Sequence, residues 1–287
     1  SLHLSVTYSP PSASGTRLWI KLNPIRLCTI NPSDHNDVTE TMTASANRFD
    51  PRLAPGQKEI DQFNGLADIW WDADGPMWPL HKLNNLRAPF VAQAIQTHFG
   101  ARSLEGLTIL DIGCGAGLLT EAMAALGATV TGVDPAARNI LIARQHAQQS
   151  NHDIEYLEGS IEVIHGRRFD VVLNMEVVEH VEDLMAFMTA CNLAVAPGGL
   201  EIVATLNRNI RSFIFAIIGA EYLLGWLPKG THHWRKFVTP SELTRLLAAD
   251  NLQTFAQAGV SVNPFTRAYR VSQDIRVNYM LLAARHA

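Results

Sequence analysis

The sequence predicts an α/β fold of the Rossmann-like kind: a mostly parallel, seven-stranded sheet with helices on both faces. An N-terminal helical arm precedes the sheet, and an apolar insertion follows the fifth strand. Three observations carry this expectation. Residues 107–112, 129–134, 169–174 and 200–206 are short, largely apolar runs, as expected of strands buried on both faces. Helix-length stretches separate them, so strand and helix alternate as a doubly wound sheet requires. Finally, the run 107–112 leads at once into Gly113, Gly115 and Gly117, with a helical stretch behind them. Strand, glycine turn and helix together let a nucleotide-like ligand approach bare backbone.

The other elements follow in order. Residues 59–71 place apolar side chains at helical spacing and end in Trp70 and Trp71, a pair that reads more readily as core than as a ligand platform. A second helix is expected over 81–99; Arg87 within it is either a solvated helix residue or a cation facing a ligand. Helices are expected at 118–126, 135–150, 182–195 and 241–250, and a third strand at 154–158. Residues 197–199, Pro-Gly-Gly, read as a turn into the fifth strand. Residues 252–260 and 274–284 are expected to close the sheet as an antiparallel hairpin.

Length and composition narrow the possibilities further. A chain of 287 residues can bury one sizeable core with an appended arm. A net charge of −4 argues against a nucleic-acid partner, because phosphate binding needs a clustered basic surface. Cys28, Cys114 and Cys191 are scattered and suggest neither a disulfide framework nor a zinc site, which fits a reducing compartment. No apolar run approaches the roughly 18 residues that span a bilayer. Residues 1–47 are rich in Ser, Thr, Pro and Asn, with Arg17, Lys21 and Arg26 before the first acid, Asp34. An organellar presequence has this flavour, although Pro10, Pro11 and Pro24 break an amphipathic helix. The plainer reading is a disordered extension, or a stretch upstream of a start at Met42. The expected division is therefore an extension over 1–56 and one domain over 57–287, with the insertion at about 207–237.

Two groups of residues carry the candidate chemistry. Asp111 ends the first buried strand, where a bare carboxylate is costly without a partner, and it would repel a phosphate but suit a cation. Asp134 ends the second strand, at the position that holds a ribose by its hydroxyls. Gly159 and Ser160 fall where an adenine ring would lie. The second group is Glu176, Glu179 and His180: on a helical turn they stand at i, i+3 and i+4 and share a face. Two carboxylates and an imidazole so placed can hold a divalent ion. Equally, they can cap a helix, or His180 alone can act as a base. Within the insertion, an apolar body including Phe213, Phe215 and Trp226 is flanked by Arg208, Arg211, Lys229, Arg235 and Lys236. That pattern suits either an interfacial segment or a lid over the core.

The pattern D-x-G-x-G-x-G from Asp111 to Gly117, followed by Asp134, resembles the class I S-adenosylmethionine-dependent methyltransferases. Trp70-Trp71-Asp72, Pro79-Leu-His-Lys-Leu-Asn84, Asn174-Met-Glu-Val-Val-Glu-His180 and Thr205-Leu-Asn-Arg-Asn209 narrow the resemblance to the ubiquinone-biosynthesis O-methyltransferases. Gly219-Ala-Glu-Tyr-Leu223, Pro228-Lys-Gly-Thr-His232 and Asn278-Tyr-Met280 agree, so the similarity runs over about 59–282.

The resemblance implies O-methylation of hydroxyls on polyprenylated catechol and quinol intermediates. It implies S-adenosylmethionine contacts at Arg87, Gly113, Asp134 and Met175, beside Asp111, Gly115 and Ser160 from the residues themselves. It implies a magnesium site at Glu176, Glu179 and His180, although an imidazole suits manganese or zinc better. His180 and Glu179 are the candidate catalytic pair. The implied partners are the polyprenylated phenol, an anionic membrane surface and other ubiquinone-biosynthesis proteins. The implied place is the cytoplasmic face of a bacterial inner membrane, or alternatively the matrix face of the mitochondrial one. Other readings are a methyltransferase acting on another lipid or small phenol, and a cofactor-binding scaffold subunit without turnover.

Overall fold

The computed structural model describes residues 50–208, 237–263, 266 and 268–286. Its centre is an eight-stranded sheet: β1 (Thr108–Ile112), β2 (Thr129–Asp134), β3 (Glu155–Glu158), β4 (Phe169–Met175), β5 (Val195–Leu206), β6 (Leu252–Asn263), β7 (Ala268–Ser272) and β8 (Asn278–Arg285). The strand order is β3-β2-β1-β4-β5-β8-β6-β7. The first five strands pair in parallel and the last three antiparallel. The chain reverses outward from β1 on both sides, and the crevice at such a switch point is where α/β sheets take ligands.

The helices are α1 (Gln57–Leu66), α2 (Trp78–Phe99), α3 (Leu118–Ala124), α4 (Ala137–Gln149), α5 (Leu184–Ala194) and α6 (Pro240–Ala249). Successive strand residues serve opposite layers, which is why the central strands are apolar throughout. Leu110, Ile112 and Val172 pack with Phe187, Met188 and Leu243 of α5 and α6. Ile109, Val171 and Leu173 pack with Val91 and Ile95 of α2 and Met123 of α3.

The structure corrects the sequence expectations at several points. There are eight strands rather than seven. Strands β6 and β8 do pair antiparallel, but the chain passes between them through β7, whose Tyr269 and Val271 pack on the α2 layer. The expected turn at Pro197–Gly199 is an irregularity within β5, which pairs with β4 at Val195 and again from Leu200. The first helix ends at Leu66 and continues as a 3-10 turn, Ala67–Ile69. The second starts at Trp78, with Pro79 in its first turn, where a missing N–H costs nothing. Residues 50–56 are also ordered into the fold: Pro51–Leu53 form a 3-10 turn and Ala54 is fully buried.

Residues 209–236, which hold most of the apolar insertion and its flanking cations from Arg211 to Lys236, lie outside the described residues. The two ends of that connection meet, because Asn207 bridges to Val238. Arg208 is ion-paired to Glu242 of α6. Among the described residues, no helix is long and apolar enough to cross a membrane.

Candidate active site

A cavity of about 400 Å³ opens where β1, β2, β3 and β4 end. Arg87, Asp111, Gly113, Gly115, Asp134, Ser160, Met175, Glu176, Glu179 and His180 all line it, so the structure brings the ten predicted residues together.

The glycine turn is held from behind. Gly113 and Gly115 have φ of 65° and 56°, a region where a side chain is strained. A Cβ on Gly115 would also collide with the Trp70 ring. Asp134 accepts the Gly115 backbone N–H on Oδ2 at 2.9 Å. Its Oδ1 accepts the Ala136 N–H at 2.8 Å and the Asn139 amide at 3.3 Å. Three of the carboxylate's roughly four acceptor directions are thus occupied, and Asp134 shapes the loop as well as facing the cavity. Burial pushes its pKa up to about 6, against those hydrogen bonds, which lower it.

Asp111, also pushed up to about 6 by burial, accepts a 2.6 Å hydrogen bond from the Thr120 hydroxyl. Arg87 is buried, and its Nε and Nη1 have no hydrogen-bond partner among the described residues. Burial lowers its pKa, and the charges of Glu176 and Asp111 raise it. A guanidinium so placed is the solvated-residue reading overturned: it faces the cavity with donors unspent. Ser160 is buried and its hydroxyl donates to the Leu53 carbonyl, so that group is committed to the N-terminal turn. Met175 is the last residue of β4.

The acidic segment departs from the expected geometry. Residues 176–180 form a turn rather than a helix, and Glu176 sits at φ 60° with its N–H donating to the Ala204 carbonyl at 2.8 Å. The shared helical face of Glu176, Glu179 and His180 is therefore absent. Glu179 is buried and accepts the Thr205 hydroxyl at 2.8 Å. Burial pushes its pKa up, and the charge of Glu176 adds to that. His180 Nδ1 lies 2.8 Å from Oε1 of Glu59. Among the described residues, no group of three His, Cys, Asp or Glu side chains is placed to hold an ion. As arranged, Glu176, Glu179 and His180 are not gathered into an ion site among the described residues, with Glu176 set at positive φ, Glu179 accepting from Thr205 and His180 Nδ1 facing Glu59.

The arm supplies residues that the sequence did not point to. Trp70 lines the cavity over Gly115, and its Nε1 has no hydrogen-bond partner among the described residues. Trp71 donates to the Ala116 carbonyl at 3.0 Å and stacks on His146 at a centroid distance of 3.3 Å. Only Trp71 behaves as the expected structural residue. Phe63, Leu80, Leu83, Leu206, Val260, Tyr269 and Met280 give the cavity an apolar wall. The alternation at Tyr269 was the available signal for that wall. Nothing near Glu59 in sequence marks its contact with His180, 121 positions away.

A family model described as a methyltransferase domain matches residues 83–257. A ubiquinone biosynthesis O-methyltransferase of Methylocella silvestris is 47% identical over 240 residues, 79% of this chain and 94% of that protein. One from a Bradyrhizobium species is 50% identical over 244 residues, 82% of this chain and 96% of that protein. The chain belongs to the ubiquinone biosynthesis O-methyltransferase family. Among solved structures, the magnesium protoporphyrin IX methyltransferase of Synechocystis PCC 6803, with bound SAH, superposes at a TM-score of 0.58. It is 18% identical and covers 79% of this chain and 97% of its own, a likeness of fold alone. The methyltransferase family thus accounts for the parallel half of the sheet and for the placement of the cavity at its switch point.

Proposed function

We propose that the chain transfers a methyl group from S-adenosylmethionine to a phenolic hydroxyl of a polyprenylated catechol or quinol in ubiquinone biosynthesis. Its relatives' name supports the substrate class. The observation that carries the cofactor is the buried Arg87, whose unspent Nε and Nη1 face the same cavity as the glycine turn and Asp134. A buried donor without a partner is costly, and a carboxylate offers a planar guanidinium two acceptors at once. The amino-acid end of S-adenosylmethionine supplies that carboxylate.

The cofactor brings a methyl group on a sulfonium, already a good leaving group. The protein's own work is to align donor and acceptor and to receive a proton. Arg87 fixes the carboxylate end, Asp134 offers its remaining acceptor direction to the ribose, and Trp70 closes the cavity over Gly115. The apolar wall receives the ring and the first part of its tail. The substrate oxygen attacks the methyl carbon in line, the carbon–sulfur bond breaks, and the hydroxyl proton passes to His180 as general base. Glu179, held by Thr205, adds negative charge beside the imidazole. A divalent ion at Glu176, Glu179 and His180 would require the three side chains to be drawn together from the positions they hold among the described residues.

Labelled-methyl transfer to a prenylated catechol tests this reading. A labelled O-methyl product is expected. Transfer only to unprenylated phenols or other lipids would replace the substrate class, and binding without transfer would make the chain a scaffold.

The cofactor site has a pH signature. Ribose hydroxyls need an ionised acceptor, so affinity should fall as pH drops through about 6, where burial has placed Asp134 and Asp111. Calorimetry across that range is expected to show proton release on binding near pH 6, and a flatter dependence in Asp134→Asn. Equal slopes in the two proteins would remove Asp134 from the ribose site.

Peripheral membrane association belongs to the same reading, because a polyprenyl tail must be collected at a bilayer surface. Its support is sequence pattern alone: Phe213, Phe215 and Trp226 with Arg211, Lys229, Arg235 and Lys236. Arg208 is already paired with Glu242. The parent should float with anionic liposomes and less so at high salt, and flotation should be lost when the three aromatics become Ser. A variant that floats like the parent makes the segment a lid.

A further inference from the structure

The glycine turn needs groups outside itself to fix its shape. Gly113, Gly115 and Gly117 all sit at positive φ, a region that glycine enters and leaves freely. Asp134 accepts the Gly115 N–H at 2.9 Å. At the next residue the arm takes over: Ala116 is fully buried, and its carbonyl accepts the Trp71 Nε1–H at 3.0 Å. An indole nitrogen only donates, and a buried carbonyl is costly unless bonded, so each answers the other. The Trp71 ring is fixed in turn by His146 of α4, stacked on it at a centroid distance of 3.3 Å and 4°. His146 Nδ1 lies 2.8 and 2.9 Å from the two oxygens of the buried Glu121 carboxylate. Glu121 belongs to the first turn of α3, the helix that the glycine turn opens, so these contacts close a circuit.

We propose that Trp71 is a positioning residue for the cofactor: through the Ala116 carbonyl, its indole holds the glycine turn in the conformation that receives S-adenosylmethionine. The proposal rests on the reading of this turn as the cofactor's site. Trp71 precedes the family model's match at 83–257. Asn84 of α2, just inside that match, supports the same stretch by donating to the Leu118 carbonyl at 3.0 Å. Asn84 and Arg87 stand at i and i+3 of one helix, so the residue that steadies the turn neighbours the one that awaits the carboxylate. Linkage makes the effect mutual: if the Trp71–Ala116 bond favours the bound form of the turn, bound cofactor must favour that bond equally.

Trp71→Phe is the informative variant, because it removes the donor and keeps an aromatic ring against His146. Affinity for S-adenosylhomocysteine should fall about 10-fold, the loss of one hydrogen bond, and the KM for S-adenosylmethionine should rise in step. The kcat at saturation should stay close to that of the parent. His146→Gln keeps a donor for Glu121, removes the stacked ring and should weaken binding in the same direction. Arg138→Gln is the control: it breaks the exposed pair with Asp68, which joins the arm to α4 away from the turn, and affinity should hold. Amide spectra should show the glycine resonances of the turn displaced in Trp71→Phe and not in Arg138→Gln. In the wild type, exchange of the Trp71 indole proton with solvent should slow when S-adenosylhomocysteine binds, a measurement that needs no variant to fold. Indole exchange that does not change on binding overturns the proposal. So does full affinity in Trp71→Phe, or an equal loss in Arg138→Gln, which would make arm docking in general responsible. Wild-type protein that binds no S-adenosylhomocysteine would overturn the cofactor reading and the proposal with it.

Discussion

Alanine at His180 is expected to lower kcat by about 10²- to 10⁴-fold while leaving cofactor binding close to that of the parent, the range a positioned acid or base contributes. The effect should be large because the phenolic proton must leave as the carbon–oxygen bond forms. Among the predicted cavity residues, His180 is the one whose neutral form accepts a proton near neutral pH. Burial alone would lower its pKa, but the hydrogen bond it donates to Glu59 and the charges of Glu179, Glu59 and Glu176 outweigh burial and raise it. A base works when deprotonated. The rate should therefore fall on the acid side, through a pKa above the ordinary 6.5, and that limb should vanish in the alanine variant. Steady-state rates against pH for both proteins decide the matter. An alanine variant with the parent's rate and acid limb would move the base elsewhere.

Arg87→Met is expected to weaken S-adenosylmethionine binding by about 10- to 100-fold, the ~1.5–3 kcal/mol of hydrogen bonds to a charged group. Methionine fills much of the space and removes the donors together with the positive charge. In the parent, Nε and Nη1 are buried without hydrogen-bond partners among the described residues, so a ligand carboxylate satisfies donors that no described protein group does. Arg87→Lys should recover only part of the loss, because an ammonium cannot reproduce the planar fork. Titration calorimetry with the three proteins reads the effect directly. If affinity is unchanged in Arg87→Met, the guanidinium serves only to balance Asp111 and Glu176, the two charges that act on it.

Asp134→Ala should look different from either variant. Asp134 ties the Gly115 and Ala136 backbone together, so its loss should disturb the glycine turn as well as the cofactor.

What could be read locally was legible. Burial on both faces made strands of the short apolar runs, because successive side chains of a pleat serve opposite layers and both layers are covered. The glycines after β1 and the acid ending β2 are adjacent in sequence to the strands that place them, so their convergence followed from the strand pattern. Arg87 and Ser160 were brought to the same cavity, but nothing local told that the first would keep unspent donors and the second would give its hydroxyl to Leu53.

By itself, then, the sequence determined the α/β alternation, the glycine turn and the family, since each rests on spacing between near neighbours. The tertiary structure alone decided the shape of the acidic segment. Local spacing allows a helix at 176–180, but the Glu176 N–H donates to Ala204 on β5 and the Glu176 backbone sits at positive φ, so the three side chains do not share a helical face. It alone added β7, whose short alternating segment is stabilised by pairing with β6 and by packing Tyr269 and Val271 on the α2 layer. And it alone joined Glu59 to His180, because a hydrogen bond across 121 positions leaves no trace in local pattern and exists only once α1 is docked.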